Sequence, residues 1–154
     1  GIDKDFGLAY AKSQMASQNS LPTKGLAFIS LKDRHKNEGV DLAKQLIKLG
    51  FTLCGTEGTA NRIIKNGIKC KKINKVSGGS PHIIDVLNSK KIALVINTGG
   101  GKRAYRIQDS TSLRRSTLIN KVPYCTNMST AYAFLEAIKS LKTKKIEVKS
   151  LQEI

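Results

Sequence analysis

Hydrophobic positions along this chain alternate between short apolar runs and stretches in which they recur at helical spacing. The apolar runs predict β-strands at residues 25–31, 51–55, 68–73, 92–97 and 122–125, with a possible last strand at 146–151. The stretches with helical spacing predict α-helices at residues 5–18, 37–49, 59–66, 82–89, 113–120 and 129–141. Strands and helices therefore alternate along most of the chain.

This alternation determines the expected fold class. Strands separated by helices on short connections form parallel βαβ units with right-handed crossovers. The sequence therefore predicts a three-layer, Rossmann-like α/β domain with a mainly parallel central sheet. Residues 92–97 are the most hydrophobic run and are expected at the centre of the sheet, whereas the lysine-rich run 68–73 is expected near an edge.

The length of 154 residues suits one compact domain. Residues 1–24, which comprise a predicted helix and a polar stretch around Pro22, are interpreted as a helix and linker from a preceding domain, and residues 25–154 as the domain itself. Because the chain lacks an initiator methionine, we expect it to be a fragment of a longer protein.

The charge is strongly unbalanced, with 27 basic residues, 11 acidic residues and a formal net charge of +16. Such a charge suits nucleic-acid binding. However, lysine outnumbers arginine, aromatic residues make up only 5%, and the positive charge is spread along the chain. The sequence therefore favours a solvated basic surface and predicts no nucleic-acid partner. No apolar run is long enough to span a membrane, so no membrane partner is expected either.

Cysteine usage indicates the compartment. Cys54, Cys70 and Cys125 are odd in number and contain no Cys-x-x-Cys pair, which is typical of reduced thiols in a cytoplasmic protein. Their spacing to His35 and His82 matches no recognisable metal site.

Candidate chemistry lies in the segments that follow the predicted strands. Ligands of such sheets bind outside the carboxyl ends of the strands. The segments there offer lysines, hydroxyls and glycine-rich backbone: Lys36, Thr56-Glu57-Gly58-Thr59, Lys75, and Asn97-Thr98-Gly99-Gly100-Gly101-Lys102. Each alone also fits a solvated lysine, a turn or a helix cap. Together at one sheet edge they predict a phosphate-binding site.

Neither common nucleotide motif is present. Ile96 stands where a P-loop needs its first glycine, and Arg103 where it needs Ser or Thr. Residues 32–34 after the first strand lack the Gly-x-Gly-x-x-Gly pattern of a dinucleotide fold. The chain is therefore expected to bind a monophosphate-type ligand.

Four segments carry a resemblance to a known family. They are FGLAYAKSQ at residues 6–14, NKV at 74–76 followed by PHI at 81–83, INT at 96–98, and LRRS at 113–116. In this order they resemble the carboxy-terminal allosteric domain of carbamoyl phosphate synthetase large subunits, which has the methylglyoxal synthase-like fold. The resemblance extends over essentially the whole chain.

The resemblance implies a regulatory domain that carries no catalytic step itself. It implies binding of nucleotide monophosphates such as UMP and IMP, and of ornithine at a domain interface. The resemblance and the segments after the strands together give the candidate residues for binding the effector and its phosphate. They are Lys36, Thr56, Gly58, Thr59, Lys75, the Ile83 backbone, Asn97, Thr98, Gly99 and Lys102. The ornithine set comprises Tyr124 and Thr126, and Arg114 and Arg115 are secondary phosphate candidates.

The implied parent chain is an ATP-dependent ligase that uses Mg²⁺ or Mn²⁺ and K⁺, while this fragment is expected to hold no cofactor. Its implied partners are the synthetase domains of the same chain and a small glutaminase subunit. The chain differs from the family pattern at Gly99 and Gly100, where Thr and Ser are expected, and at Cys125, where Asp is expected. The identity of the effector therefore stays open.

A stand-alone methylglyoxal synthase-like enzyme is the alternative. That chemistry needs a positioned carboxylate base. In that family the base lies in a Gly-Gly-Asp loop, but here Gly78-Gly79 are followed by Ser80. The nearest candidates are His82 and Asp85, and Asp85 is expected to be a surface or capping residue.

Overall fold

A computed structural model of the protein describes residues 1–74, 79–80, 82–99, 104–148, 150 and 152, with the backbone only for residues 104–109. The strands are β1 (Gly25–Ser30), β2 (Phe51–Thr56), β3 (Lys71–Ile73), β4 (Ile92–Asn97) and β5 (Tyr124–Cys125). The helices are α1 (Phe6–Ala16), α2 (Lys36–Lys48), α3 (Glu57–Lys65), α4 (Ile83–Asn88), α5 (Ala104–Ile119) and α6 (Met128–Thr143). A 3₁₀ turn, Asp33–His35, leads into α2.

The five strands form one sheet in the order β3-β2-β1-β4-β5, and every neighbouring pair is parallel. The predicted fold class is thus confirmed. The lysine-rich strand β3 lies at an edge, as expected. Strand β4 lies in the interior, but the middle position belongs to β1.

Apolar side chains fill both faces of the sheet because β1 alternates its residues between them. Ala27 and Ile29 join one core with α1, α2, α3 and α6, which includes Leu42, Leu46 and Ile63. Phe28 joins a second core with α4 and α5, which includes Leu87 and Leu113. Two helical layers therefore enclose the sheet, as hydrophobic strands of a parallel sheet require.

Several predicted elements differ from the structure, and β5 covers only the last two residues of the predicted run 122–125. Helix α5 begins at Ala104 rather than at residue 113, because its first half has mixed polar and β-branched residues that hide the helical period. Strand β3 is shorter than the predicted run 68–73. Residues 146–148 lie in no strand and Val148 is 96% exposed. Lysines around them leave too little apolar surface to bury against the sheet.

Helix α1 packs against α6 near the carboxyl end of the described chain. Asp5 caps α1 by accepting the Leu8 N–H at 2.9 Å, and it also accepts the Ser140 hydroxyl at 2.7 Å. It forms an ion pair with Lys144, and these bonds hold the pKa of Asp5 well below its ordinary value, the lysine bond most of all. Assignment of residues 1–24 to a preceding domain stays a prediction.

The three cysteines are free thiols. Burial raises the pKa of Cys54 and Cys125 to about 12 and that of half-buried Cys70 to about 11. All three are therefore protonated at neutral pH. Among the described residues, no group of His, Cys, Asp and Glu side chains could hold a metal ion. The described part of the chain also has no helix long and apolar enough to cross a membrane.

Candidate functional site

The candidate site lies at the carboxyl edge of the sheet, where β1 and β4 are neighbours. The chain continues from β1 to β2 and β3 on one side of β1, and then crosses to β4 on the other side. Helices α2 and α3 pack on one face of the sheet, and α4 and α5 pack on the opposite face. Such a switch point opens a crevice at the strand ends. Thr98 lies in it: its N–H donates to the Ser30 carbonyl at 3.0 Å, and its Oγ1 accepts the Lys32 N–H at 3.1 Å.

Lys36 and Gly58 meet beside this crevice. Lys36 is the first residue of α2, and Gly58 is the second residue of α3. A Cβ placed on Gly58 would lie 2.9 Å from Lys36 Nζ, so the ammonium group occupies the space that a side chain would need. The sequence thus correctly predicted that these two residues lie at one edge.

The amino end of α3 is suited to an anion. Its N-cap residue, Thr56, makes no side-chain capping bond, so the first amide N–H groups of the helix have no partner from that side chain. These groups and the helix dipole attract negative charge, and Lys36 adds a full positive charge. In the structure, Lys36 Nζ pairs with the exposed carboxylate of Asp33 at 2.6 Å.

Hydroxyl groups line the base of this edge. Thr56 Oγ1 lies 3.2 Å from Ser30 Oγ and 3.5 Å from Thr59 Oγ1. Thr59 is only 1% exposed and its Oγ1 accepts the Leu31 N–H at 2.9 Å. The structure therefore brings both predicted threonines together, but Thr59 connects the end of β1 to α3 rather than presenting an open hydroxyl.

Asn97 links the crevice to the last strand. Its Nδ2 donates to the Tyr124 hydroxyl at 3.1 Å, and its Oδ1 accepts the Gly99 N–H at 2.9 Å. A Cβ on Gly99 would come within 2.7 Å of that Oδ1. The glycine that departs from the family pattern thus permits this arrangement of Asn97. The Arg114 guanidinium lies 6.0 Å from the centre of the Tyr124 ring.

The other predicted site residues are more dispersed. Ile83 begins α4 and its side chain is buried in the second core. Thr126 is exposed just beyond β5. Lys75 and Lys102 lie outside the described residues, and so does Gly78, the first glycine of the Gly78-Gly79 pair.

Asp85 serves as a helix-capping residue, as expected. Its carboxylate accepts the His82 N–H at 2.9 Å and the Ser80 hydroxyl at 2.8 Å. These bonds lower the pKa of Asp85, that from the His82 backbone most of all. A carboxylate held ionised by donors at a helix start is a weak proton acceptor. Asp85 is therefore not positioned to act as a general base.

Two residues at the site were missed by sequence reasoning. Ser30 ends β1 and bonds Thr56, and His35 Nδ1 lies 3.0 Å from Thr98 Oγ1. From the sequence, His35 is a candidate only for a metal site, and its spacing does not fit one. Its place directly before Lys36, in a segment after a strand, is the signal that could have identified it.

Comparison with known proteins identifies the family of this chain. A family model described as "MGS-like domain" matches residues 38–126, more than half of the chain. The carbamoyl phosphate synthase large chain of Mesorhizobium japonicum is 44% identical over 153 residues, which cover 99% of this chain and 13% of that protein. The carbamoyl phosphate synthase large chain, C-terminal section, of Aquifex aeolicus is 46% identical over 159 residues, which cover 100% of this chain and 29% of that protein.

A third relative, the C-terminal section of the large chain from Methanopyrus kandleri, is 44% identical over 155 residues, which cover 100% of this chain and 28% of that protein. The chain thus spans less than a third of the length of each of these relatives. The resemblance seen in the sequence is confirmed. The parallel sheet, the matched residues and the full-length similarity together show that this chain belongs to the MGS-like domain family, in the form found in carbamoyl phosphate synthase large chains.

Proposed function

We propose that this chain is the regulatory domain of a carbamoyl phosphate synthase large chain and binds the phosphate of a nucleotide monophosphate at the carboxyl edge of its sheet. The observation that carries the proposal is the Lys36 ammonium group beside Gly58 at the amino end of α3. A phosphate there would meet helix N–H groups and a lysine together, the combination that favours such ligands.

The surrounding charge supports an anionic ligand. Lys32 and Arg34 are exposed in the segment that leads from β1 to α2. Asp33 now pairs with Lys36, and a doubly charged phosphate would compete with that single carboxylate. Lys75 and Lys102, predicted from the sequence to join this set, belong to the same proposal.

A regulatory role follows if the ligand binds two states of the parent protein unequally. Coupling between sites in such systems is typically about 1–3 kcal/mol. Tyr124, with Thr126 just beyond it, is the proposed contact for ornithine and neighbouring synthetase domains. The Asn97–Tyr124 bond of 3.1 Å would connect that contact with the effector site. The parent would make carbamoyl phosphate for pyrimidine and arginine synthesis, together with a glutaminase subunit.

An enzyme of the methylglyoxal synthase type is disfavoured by the carboxylates. Among the described carboxylates around this edge, Asp33 pairs with Lys36, Asp85 caps α4, and Glu57 is exposed in the first turn of α3. Proton abstraction next to a carbonyl needs a free, positioned base. Turnover of dihydroxyacetone phosphate by the purified chain would nevertheless overturn the regulatory proposal.

Isothermal titration of the chain with UMP, IMP and inorganic phosphate at moderate salt is the direct test. We expect saturable binding in which one ligand competes with another. Lys36→Ala should weaken binding about tenfold to a hundredfold, since a hydrogen bond to a charged group contributes about 1.5–3 kcal/mol. The matched control is Lys65→Ala, which removes an exposed lysine at the other end of α3.

Equal losses for both lysine variants would indicate general charge attraction and refute the site. Absence of binding by all three ligands to the unsubstituted chain would refute nucleotide control by this domain alone. The synthetase activity of the complete large chain, measured with and without UMP or IMP, then tests the regulatory role itself.

A further inference from the structure

The Thr98 hydroxyl is surrounded by donors within the described residues. Thr98 is 3% exposed, and its Oγ1 accepts the Lys32 N–H at 3.1 Å. His35 Nδ1 lies 3.0 Å from the same oxygen, from the opposite end of the segment that joins β1 to α2. Whether this second bond is donated or accepted by Thr98 depends on which ring nitrogen of His35 carries the proton.

The other ring nitrogen of His35 settles its tautomer. Arg34 Nε–H donates to His35 Nε2 at 3.2 Å. Arginine has only donors and stays protonated, so Nε2 must offer a lone pair. In the neutral ring the proton is then on Nδ1, which donates it to Thr98 Oγ1. Both lone pairs of that oxygen are thereby occupied.

One consequence concerns the proton of the Thr98 hydroxyl. With its oxygen accepting two hydrogen bonds, the group can act further only as a donor, and no acceptor for it is found among the described residues. Buried hydroxyl donors in proteins normally have a partner. Among the described residues, the Thr98 hydroxyl therefore keeps a proton that it can donate, and an acceptor group of a bound ligand can receive it.

We propose that His35 is a positioning residue that fixes the Thr98 hydroxyl as a hydrogen-bond donor to an anionic oxygen of the ligand. This inference rests on the proposed phosphate site and adds a determinant of its specificity. A phosphate oxygen is an acceptor only, whereas an ammonium or amide N–H would meet a hydroxyl with no free lone pair. The crevice is thereby selective for acceptor groups.

Charges next to His35 favour the same ligand. The Arg34 guanidinium bonds its Nε2, and the Lys36–Asp33 pair lies on the adjacent residues. Lys32 donates its backbone N–H to the same Thr98 oxygen. Because the neutral ring already satisfies Arg34 and Thr98, His35 can orient Thr98 without carrying charge itself.

Two nearly isosteric substitutions separate this role from simple packing. Asn at position 35 keeps an N–H donor close to the Nδ1 position, whereas Leu of similar size has none. Titrated with inorganic phosphate and with UMP, His35→Asn should stay within about twofold of the unsubstituted chain, and His35→Leu should lose about fivefold to tenfold. In a Thr98→Val background, His35→Leu should cause no further loss.

A direct measurement determines the tautomer of His35 in the unsubstituted chain. The chain has only two histidines, His35 and His82, so long-range ¹H–¹⁵N spectra assign both rings with the help of His82→Gln. At about pH 8, where an ordinary imidazole is neutral, the His35 ring should carry its proton on Nδ1. A ring protonated on Nε2 would overturn the inference.

The outcomes distinguish this inference from the proposed function. If the unsubstituted chain binds phosphate and UMP but His35→Leu binds them equally well, only the role of His35 is refuted. If Asn and Leu at position 35 lose affinity equally, the ring acts by packing and the inference is wrong. If the unsubstituted chain binds neither ligand, the proposed function fails, while the Nδ1 tautomer still reports the structure around Thr98.

Discussion

Replacing Gly58 with alanine should change stability and ligand affinity in opposite directions. The added Cβ would lie 2.9 Å from Lys36 Nζ, whereas ordinary contacts begin at 3.4 Å. Because the ammonium lies at the end of a flexible side chain, it can retreat by about 0.5–1 Å without disturbing the backbone. The fold should therefore tolerate the change while the ammonium group leaves its position beside α3.

The magnitude follows from the distance. For a singly charged phosphate about 3 Å from the ammonium, a retreat of this size weakens the attraction by about 1 kcal/mol at an effective dielectric constant of about 20. This corresponds to a loss of affinity of about fivefold to tenfold, and a doubly charged phosphate should lose more. The same substitution should stabilise the fold by about 0.5 kcal/mol, because alanine is a better helix former than glycine.

Isothermal titration with inorganic phosphate and urea unfolding of the same samples measure the two effects. The matched control is Gly58→Ala in a Lys36→Ala background, where no ammonium group remains to be displaced and no further loss of affinity is expected. Unchanged affinity of the single Gly58→Ala variant would refute the reasoning that Lys36 acts from beside this glycine. A fall in stability would show instead that the backbone requires glycine.

Other predictions concern neighbouring contacts. Asp33→Asn should raise phosphate affinity by up to about fivefold in titration, because it frees Lys36 from a surface ion pair; unaltered affinity would show that the pair does not compete. Gly99→Ser should displace the Asn97 amide, whose Oδ1 lies 2.7 Å from the position of the new Cβ, and shift its ¹⁵N side-chain resonance; an unmoved resonance would contradict this. The contribution of Asp5 to the free energy of unfolding should be fully present above pH 3.8, the ordinary pKa of Asp. Because the pKa of Asp5 is depressed in the folded state, this contribution should be lost progressively as the pH falls below 3.8. Urea unfolding across this range should show a weaker pH dependence for Asp5→Asn, and an identical dependence would disprove the assignment.

Sequence patterns were sufficient for the fold and for the edge of the sheet at which the candidate residues lie. Short apolar runs separated by helical spacing require parallel strands, and parallel strands bring their carboxyl ends to one edge. Lys36, Thr56 and Thr98 were therefore correctly expected together. Cap chemistry was also readable, since Asp85 lies three residues after His82, at the position that reaches back to the helix start.

Individual bonds at the edge could not be predicted in this way. The contact between His35 and Thr98 joins residues 63 positions apart, and it depends on the register between β1 and β4. The approach of Lys36 to Gly58 depends on how α2 packs beside α3. Such distances depend on how side chains pack in the core. The hydrophobic periodicity of a single segment contains no information about that packing.

The bonds of Asp5 to Ser140 and Lys144 bring an early and a late part of the described chain to the same place. In a longer chain, the segment that leads into α1 and the segment that follows α6 would lie next to each other. A domain attached in this manner has one point of anchorage instead of two at opposite poles.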